Sequence, residues 1–164
     1  MRWAEFEEVA PELAALGRER IERFGFVFLA TLRKDGGPRV NPVEAHLVEG
    51  ELAHALMKGS VKALDLLRDP RAYLHTPILD AELGRPGEFK ARARAVPATD
   101  ERLRAAIADA VERRGGWRPP DDWHFVTIDL ESAAFHDYDQ SEDVHVVKRW
   151  TPGRGYEFGT RTIT

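Results

Sequence analysis

Hydrophobic and polar positions change period several times along this chain, and each change marks an expected element. From Phe6 to Phe24, the residues Val9, Leu13, Leu16, Ile21 and Phe24 recur at helical spacing and predict one helix. Pro11 suits a first turn, so a start near Ala10 is compatible with the pattern. Arg18, Glu19, Arg20, Glu22 and Arg23 form its expected solvated face. Phe26 to Arg33 is apolar, aromatic and β-branched, and reads as a buried strand. Lys34-Asp35-Gly36-Gly37-Pro38 is a turn, and Arg39 to Val48 continues as a second strand. Within it Pro42 has no N–H for a ladder and marks an edge, a bulge or a split in the sheet. After the turn Glu49-Gly50-Glu51, Leu52 to Met57 completes a three-stranded meander.

The second half alternates helices and strands. Val61 to Arg68 is a short helix ended by Asp69-Pro70. Arg71 to Thr76 is a fourth strand, and Pro77 to Pro86 a loop. From Glu88 to Val96, Phe89, Ala91, Ala93 and Ala95 alternate with Lys90, Arg92 and Arg94. Period two makes this a strand with an apolar face and a basic one, solvated or available to an anion. Thr99 to Arg114 is the clearest helix, with Leu103, Ile107 and Val111 in register and Gly115-Gly116 as its stop. A Pro-rich loop, Trp117 to Asp122, precedes a sixth strand from Trp123 to Phe135. Val144 to Trp150 is strand-like, and Pro152 to Tyr156 reads as irregular. Short strands and tight turns favour closure into a small barrel, which removes exposed edges. The expected class is mainly β within α+β: a six-stranded antiparallel barrel with flanking helices, one domain over residues 1–164.

Composition narrows the function classes. The chain has 164 residues, 32% of them charged, and a net charge of −4. That balance argues against a broad nucleic-acid surface. No run of 18 apolar residues offers a membrane span. Cysteine is absent, which excludes disulfides and thiolate metal sites. With no secretory signal pattern at the N-terminus, a cytoplasmic location is expected. The six histidines lack zinc spacing, and His46 and His54 are expected as a surface pair flanking one hairpin. Glu142-Asp143 and Asp121-Asp122 read as loop acids, and no acid/base pair stands out.

The candidate chemistry lies at Met57-Lys58-Gly59-Ser60-Val61-Lys62, where a strand hands over to a helix. Such a step leaves backbone N–H groups and the positive end of a helix dipole at one spot. Ser60 is a good N-cap, and Lys58 and Lys62 add two ammonium groups. The stretch reads either as an ordinary capped helix or as a phosphate pocket.

The order of the pieces resembles the pyridoxamine 5′-phosphate oxidase-like family of flavin-binding split β-barrels. The resemblance is carried by Leu29-Ala30-Thr31-Leu32, Asp35-Gly36-Gly37-Pro38, Val40-Asn41-Pro42-Val43, the strand Leu52 to Met57, Ser60-Val61-Lys62 and Leu67-Arg68-Asp69-Pro70-Arg71. The closing Trp150-Thr151-Pro152-Gly153-Arg154-Gly155 also resembles tails of that family. The resemblance implies an oxidoreductase that binds FMN in a cleft between the subunits of a homodimer. It implies that Arg39, Val40, Asn41 and Pro42 line the flavin ring and phosphate side. Ala55 to Met57 would run along the ring edge, and Lys58, Ser60 and Lys62 would hold the phosphate. Trp150 would fill the core or pack on the partner's flavin. Relatives that use the deazaflavin F420, and flavin or haem carriers without turnover, are the alternatives.

Overall fold

The computed structural model describes residues 1–78, 87–139 and 144–162. Its helices are α1 (Trp3–Val9), α2 (Pro11–Phe24), α3 (Val61–Arg68) and α4 (Glu101–Gly115). Its strands are β1 (Phe26–Leu32), β2 (Pro38–Glu44), β3 (His46–Val48), β4 (Glu51–Leu56) and β5 (Arg71–His75), then β6 (Glu88–Pro97), β7 (His124–Asp139), β8 (Val144–Thr151) and β9 (Gly155–Thr162). All strands join one antiparallel sheet in the order β2-β1-β5-β6-β7-β4-β3, with β8 and β9 continuing from β7. This is the expected α+β split barrel, with nine described strands where about six were expected.

One face of the sheet closes on a single core. Alternation along the strands places Val27, Leu29, Leu52, Leu56, Leu74, Ala91, Ala93, Ile128 and Leu130 in it. Helices α1 and α2 cover one end. The rings of Trp3, Phe6 and Trp150 pack edge to face there, at 5.5 Å for Trp3–Phe6 and 5.4 Å for Phe6–Trp150. Trp150 is therefore a core residue. A smaller cluster of Ile107, Ala108, Ala53, Ala98 and Phe125 seats α4 on β4 and β7. Asp100 caps α4 by accepting from the Leu103 N–H at 2.8 Å.

Several expectations are corrected. The single N-terminal helix is two, broken at Ala10, whose backbone is neither helical nor extended (φ −144°, ψ 59°). Pro11 sterically excludes its predecessor from helical geometry. Arg20 is not solvated: it is 1% exposed, lies 5.3 Å from the Phe135 ring centre and donates to the Gly87 carbonyl. The long second strand is β2 and β3, parted at Ala45, whose N–H leaves the ladder for the Gly25 carbonyl at 3.0 Å. β2 pairs with β1 and β3 with β4, so the chain changes partners there, and Pro42 lies on the edge strand β2. The tail is not irregular, because β9 pairs with β8 from Gly155 onward. The loop expected over 77–86 lies, from residue 79 on, outside the described residues, as do Glu142 and Asp143.

His46 and His54 are buried rather than superficial, at 6% and 0% exposure. His54 shares the interior face of β4 with Leu52 and Leu56. Its Nδ1 donates to the Glu44 carbonyl at 2.7 Å. Desolvation pushes its pKa from 6.5 down to about 4. The unfolded chain then binds a proton that the folded chain refuses between these values. Stability should fall as pH drops from 6.5 toward 4, by up to about 3 kcal/mol from this residue. Denaturant unfolding across that range should show a steeper loss for the native chain than for His54→Gln. Equal slopes would remove His54 from the account.

Gly17 supplies a second test. A Cβ there would stand 2.9 Å from the Phe89 ring and 3.0 Å from Trp3 Cη2. Helix propensity alone favours alanine by about 1 kcal/mol. The clash with two buried rings should reverse that sign, and Gly17→Ala should lower the melting temperature.

Candidate functional site

Strand β4 ends at Leu56, and the chain turns through Met57, Lys58 and Gly59. Ser60 N–H closes the turn on the Met57 carbonyl at 3.0 Å, and Gly59 takes the left-handed conformation (φ 71°) it requires. Ser60 occupies the N-cap of α3 with extended backbone, yet its hydroxyl makes no capping bond. That oxygen is buried without a hydrogen-bond partner. An uncompensated buried hydroxyl is costly, and a bound water, ion or ligand group would relieve it. Lys62, partly buried in the first turn of α3, forms no hydrogen bond or ion pair among the described residues. Lys58 is exposed and paired with Asp122 at 3.0 Å. Met57 is 55% exposed at the strand end.

The residues expected on β2 do not act from one side. Alternation places Arg39 and Asn41 on one face and the exposed Val40 and Pro42 on the other. Arg39 points to α3, where its Nε donates to Asp65 at 2.7 Å. Thr31 donates to the same carboxylate at 3.1 Å, and so does Arg68 at 3.1 Å. Arg68 also donates to the Leu32 carbonyl. Asp65 thus ties β1, β2 and α3 at one point. Burial raises its pKa, but hydrogen bonds from Arg39, Arg68 and Thr31 together hold it below the usual carboxylate value. Asn41 Oδ1 is a second buried oxygen with no partner.

The other side of the sheet is apolar and uncovered. Val40 faces Ala30, and Ala30 faces Tyr73; Phe28 faces Pro42 and His75. Val40, Tyr73 and Phe28 are 60%, 42% and 38% exposed, so this patch lacks a cover from its own chain. The basic face of β6 carries its own counter-charges: Lys90 pairs with Glu88 at 2.5 Å, and Arg92 with Glu131 at 2.9 Å. It is not a free anion surface. Among the described residues, no helix is long and apolar enough to cross a membrane.

Residues 14–147 match the model of the pyridoxamine 5′-phosphate oxidase family. The chain belongs to that family. No curated protein matches it. Solved structures of the same fold include PhzG from Burkholderia lata 383, in complex with tetrahydrophenazine-1-carboxylic acid. It is 14% identical with a TM-score of 0.63, over 98% of this chain and 93% of PhzG. ChuZ from Campylobacter jejuni is 15% identical with a TM-score of 0.67, over 92% of this chain and 62% of ChuZ. HutZ, a haem storage protein from Vibrio cholerae, is 20% identical with a TM-score of 0.56, over 75% of this chain and 90% of HutZ. Identity at this level shows a shared fold and nothing further.

Within this pyridoxamine 5′-phosphate oxidase-family fold, the strand–helix step and the inward face of β2 each hold a buried unpaired oxygen, Ser60 Oγ and Asn41 Oδ1. Asp65 was not expected in the site. Its signal was a lone carboxylate inside Ala63-Leu64-Asp65-Leu66-Leu67, a setting that demands cationic partners. Asp65→Ala should leave Arg39 and Arg68 without their acceptor and cost about 1–2 kcal/mol in unfolding experiments, since both arginines are partly hydrated.

Proposed function

We propose that the protein binds FMN and works as a flavin-dependent oxidoreductase, as a homodimer with the cofactor at the subunit interface. The observation that carries this reading is two buried oxygens without partners, Ser60 Oγ at the strand–helix step and Asn41 Oδ1 on β2, together with Lys62 in the first turn of α3, which has no partner among the described residues. FMN fits these groups chemically. Its phosphate needs cations and hydroxyl or N–H donors, which Lys62, Ser60 and the first turn of α3 supply. Arg39, fixed by Asp65, adds a guanidinium whose orientation is already set. Asn41 has a side-chain amide able to bond a polar ring or ribityl edge. The backbone from Ala55 to Met57 offers further groups at the strand end. When bound, FMN supplies hydride or electron transfer; the chain's part is to hold and orient it and to exclude water.

The uncovered patch of Phe28, Val40 and Tyr73 supports the dimer. A second copy would bury it. Lys58, already paired with Asp122, has a lesser part in this reading.

Titrating the purified protein with FMN, followed by flavin fluorescence, tests the reading. Saturable binding is expected. Lys62→Ala and Ser60→Ala should each weaken it by roughly tenfold or more, as loss of a bond to a charged group implies. Lys58→Ala should have a smaller effect. A haem Soret band in the protein as purified, or saturable binding of F420 without FMN binding, would replace the proposal.

A further inference from the structure

A second cleft, of about 320 Å³, opens where α2, β3 and α4 meet. Its lining includes Ile21, Glu22, Ala45, His46, Arg113 and Arg114. His46 is 94% buried, being 6% exposed, and its Nε2 has no hydrogen-bond partner. The nearest acid, Glu44, stands 3.7 Å from that nitrogen. Arg113 and Arg114 have no carboxylate partner among the described residues. Arg114 is nonetheless held in place. Both of its terminal nitrogens donate to the Glu22 carbonyl at 3.3 Å, and its guanidinium lies over Gly25, where a Cβ would meet Nη2 at 1.9 Å. The Glu22 carboxylate, which could have neutralised the cleft, is bonded to Arg18 at 3.0 Å instead.

We propose that this cleft binds a small molecule through a phosphate or carboxylate group, held by Arg113 and Arg114 and by a hydrogen bond from the His46 ring. The charge pattern asks for an anion. Two adjacent guanidiniums, one of them immobilised, face a cavity in a chain whose net charge is −4. The dipole of α4 favours cations at its last turn. That accounts for the arginines' position, but for neither the cavity nor the unsatisfied imidazole. Burial pushes His46 below its ordinary pKa; Glu44 opposes this, and Arg114 and Arg113 reinforce it. His54 is its other titratable neighbour and stays neutral. An oxyanion between the arginines would screen them and give the imidazole N–H an acceptor, so binding and protonation of His46 should favour one another.

The site is independent of the flavin reading, and its test keeps them apart. Inorganic phosphate, and acetate as a second arm, are titrated at constant ionic strength into isotope-labelled full-length protein. The His46 ring resonances are followed against pH by NMR. A saturable shift centred on His46 is expected, with its pKa raised at saturation. Arg113→Gln should weaken binding by roughly fivefold, the worth of one exposed charge contact. Arg114 is left unchanged because it also holds the end of α2. Lys62→Ala should leave the titration as it was. Preference for phosphate assigns a dianionic ligand, and equal response to acetate assigns a carboxylate. No saturable response in either arm, or one that Arg113→Gln leaves intact, would overturn the proposal.

Discussion

A single strand has to serve three neighbours for this sheet to close. β7 runs for 16 residues; β6 lies along one edge, while the other is divided between β4 near residues 124–127 and β8 over residues 133–139. Dividing one edge forces β4 and β8 to diverge. The register shift between Arg92 and Ala93 lets β6 follow the resulting bend. The bend brings the apolar faces of β1, β4, β5, β6 and β7 onto one core, and α1 and α2 close its end with Trp3, Phe6 and Leu13. The candidate cofactor site then follows from where β4 stops. Its C-terminal end delivers Met57 to Ser60 to the start of α3, against β1 and β2.

Much of this was legible in the residues. An apolar, aromatic and β-branched run gave the strand from Phe26, period-two alternation the one from Glu88, and helical spacing α4. Pro42 marked an edge, a bulge or a split, and the first of these is found, because a residue without an N–H has no place in a central ladder. Pro11 marked a start near Ala10, but the separate helix α1 before it and the break at Ala45 were not legible, since alanine is compatible with helix and strand alike. Only the competing demands of Pro11 and of the Gly25 carbonyl decide the conformations of Ala10 and Ala45. Arg20 and His54 were misplaced for a related reason. Local pattern assigns them to water, and long-range partners, the Phe135 ring and the Glu44 carbonyl, make burial tolerable.

The site was half legible. Ser60 and Lys62 do stand at a strand–helix step, and the family resemblance named that step from the order of its pieces. What sequence order could not convey is the division of β2. Four consecutive strand residues cannot all present side chains to one ligand. Arg39 reaches Asp65 on α3 and Asn41 shares its face, while Val40 and Pro42 face outward with Phe28 and Tyr73. The two sets answer different demands, one polar and internal, the other apolar and awaiting a cover.

The partnering of charges sharpens this division. On β6 the basic residues are matched by Glu88 and Glu131, and on α3 Asp65 accepts from two arginines. These pairs fix geometry, which for Arg39 sets the orientation of its guanidinium. Against that background, Lys62, Arg113 and Arg114 differ in kind. Each lacks a carboxylate among the described residues, and each lies near a buried polar atom with no partner on its own or a neighbouring element: Ser60 Oγ for the first, His46 Nε2 for the other two. A surface cation alone costs nothing and means nothing. A buried orphan alone is a local penalty of about 1–3 kcal/mol. Where the two coincide, one anion relieves both, and this chain has such a coincidence at two separate places.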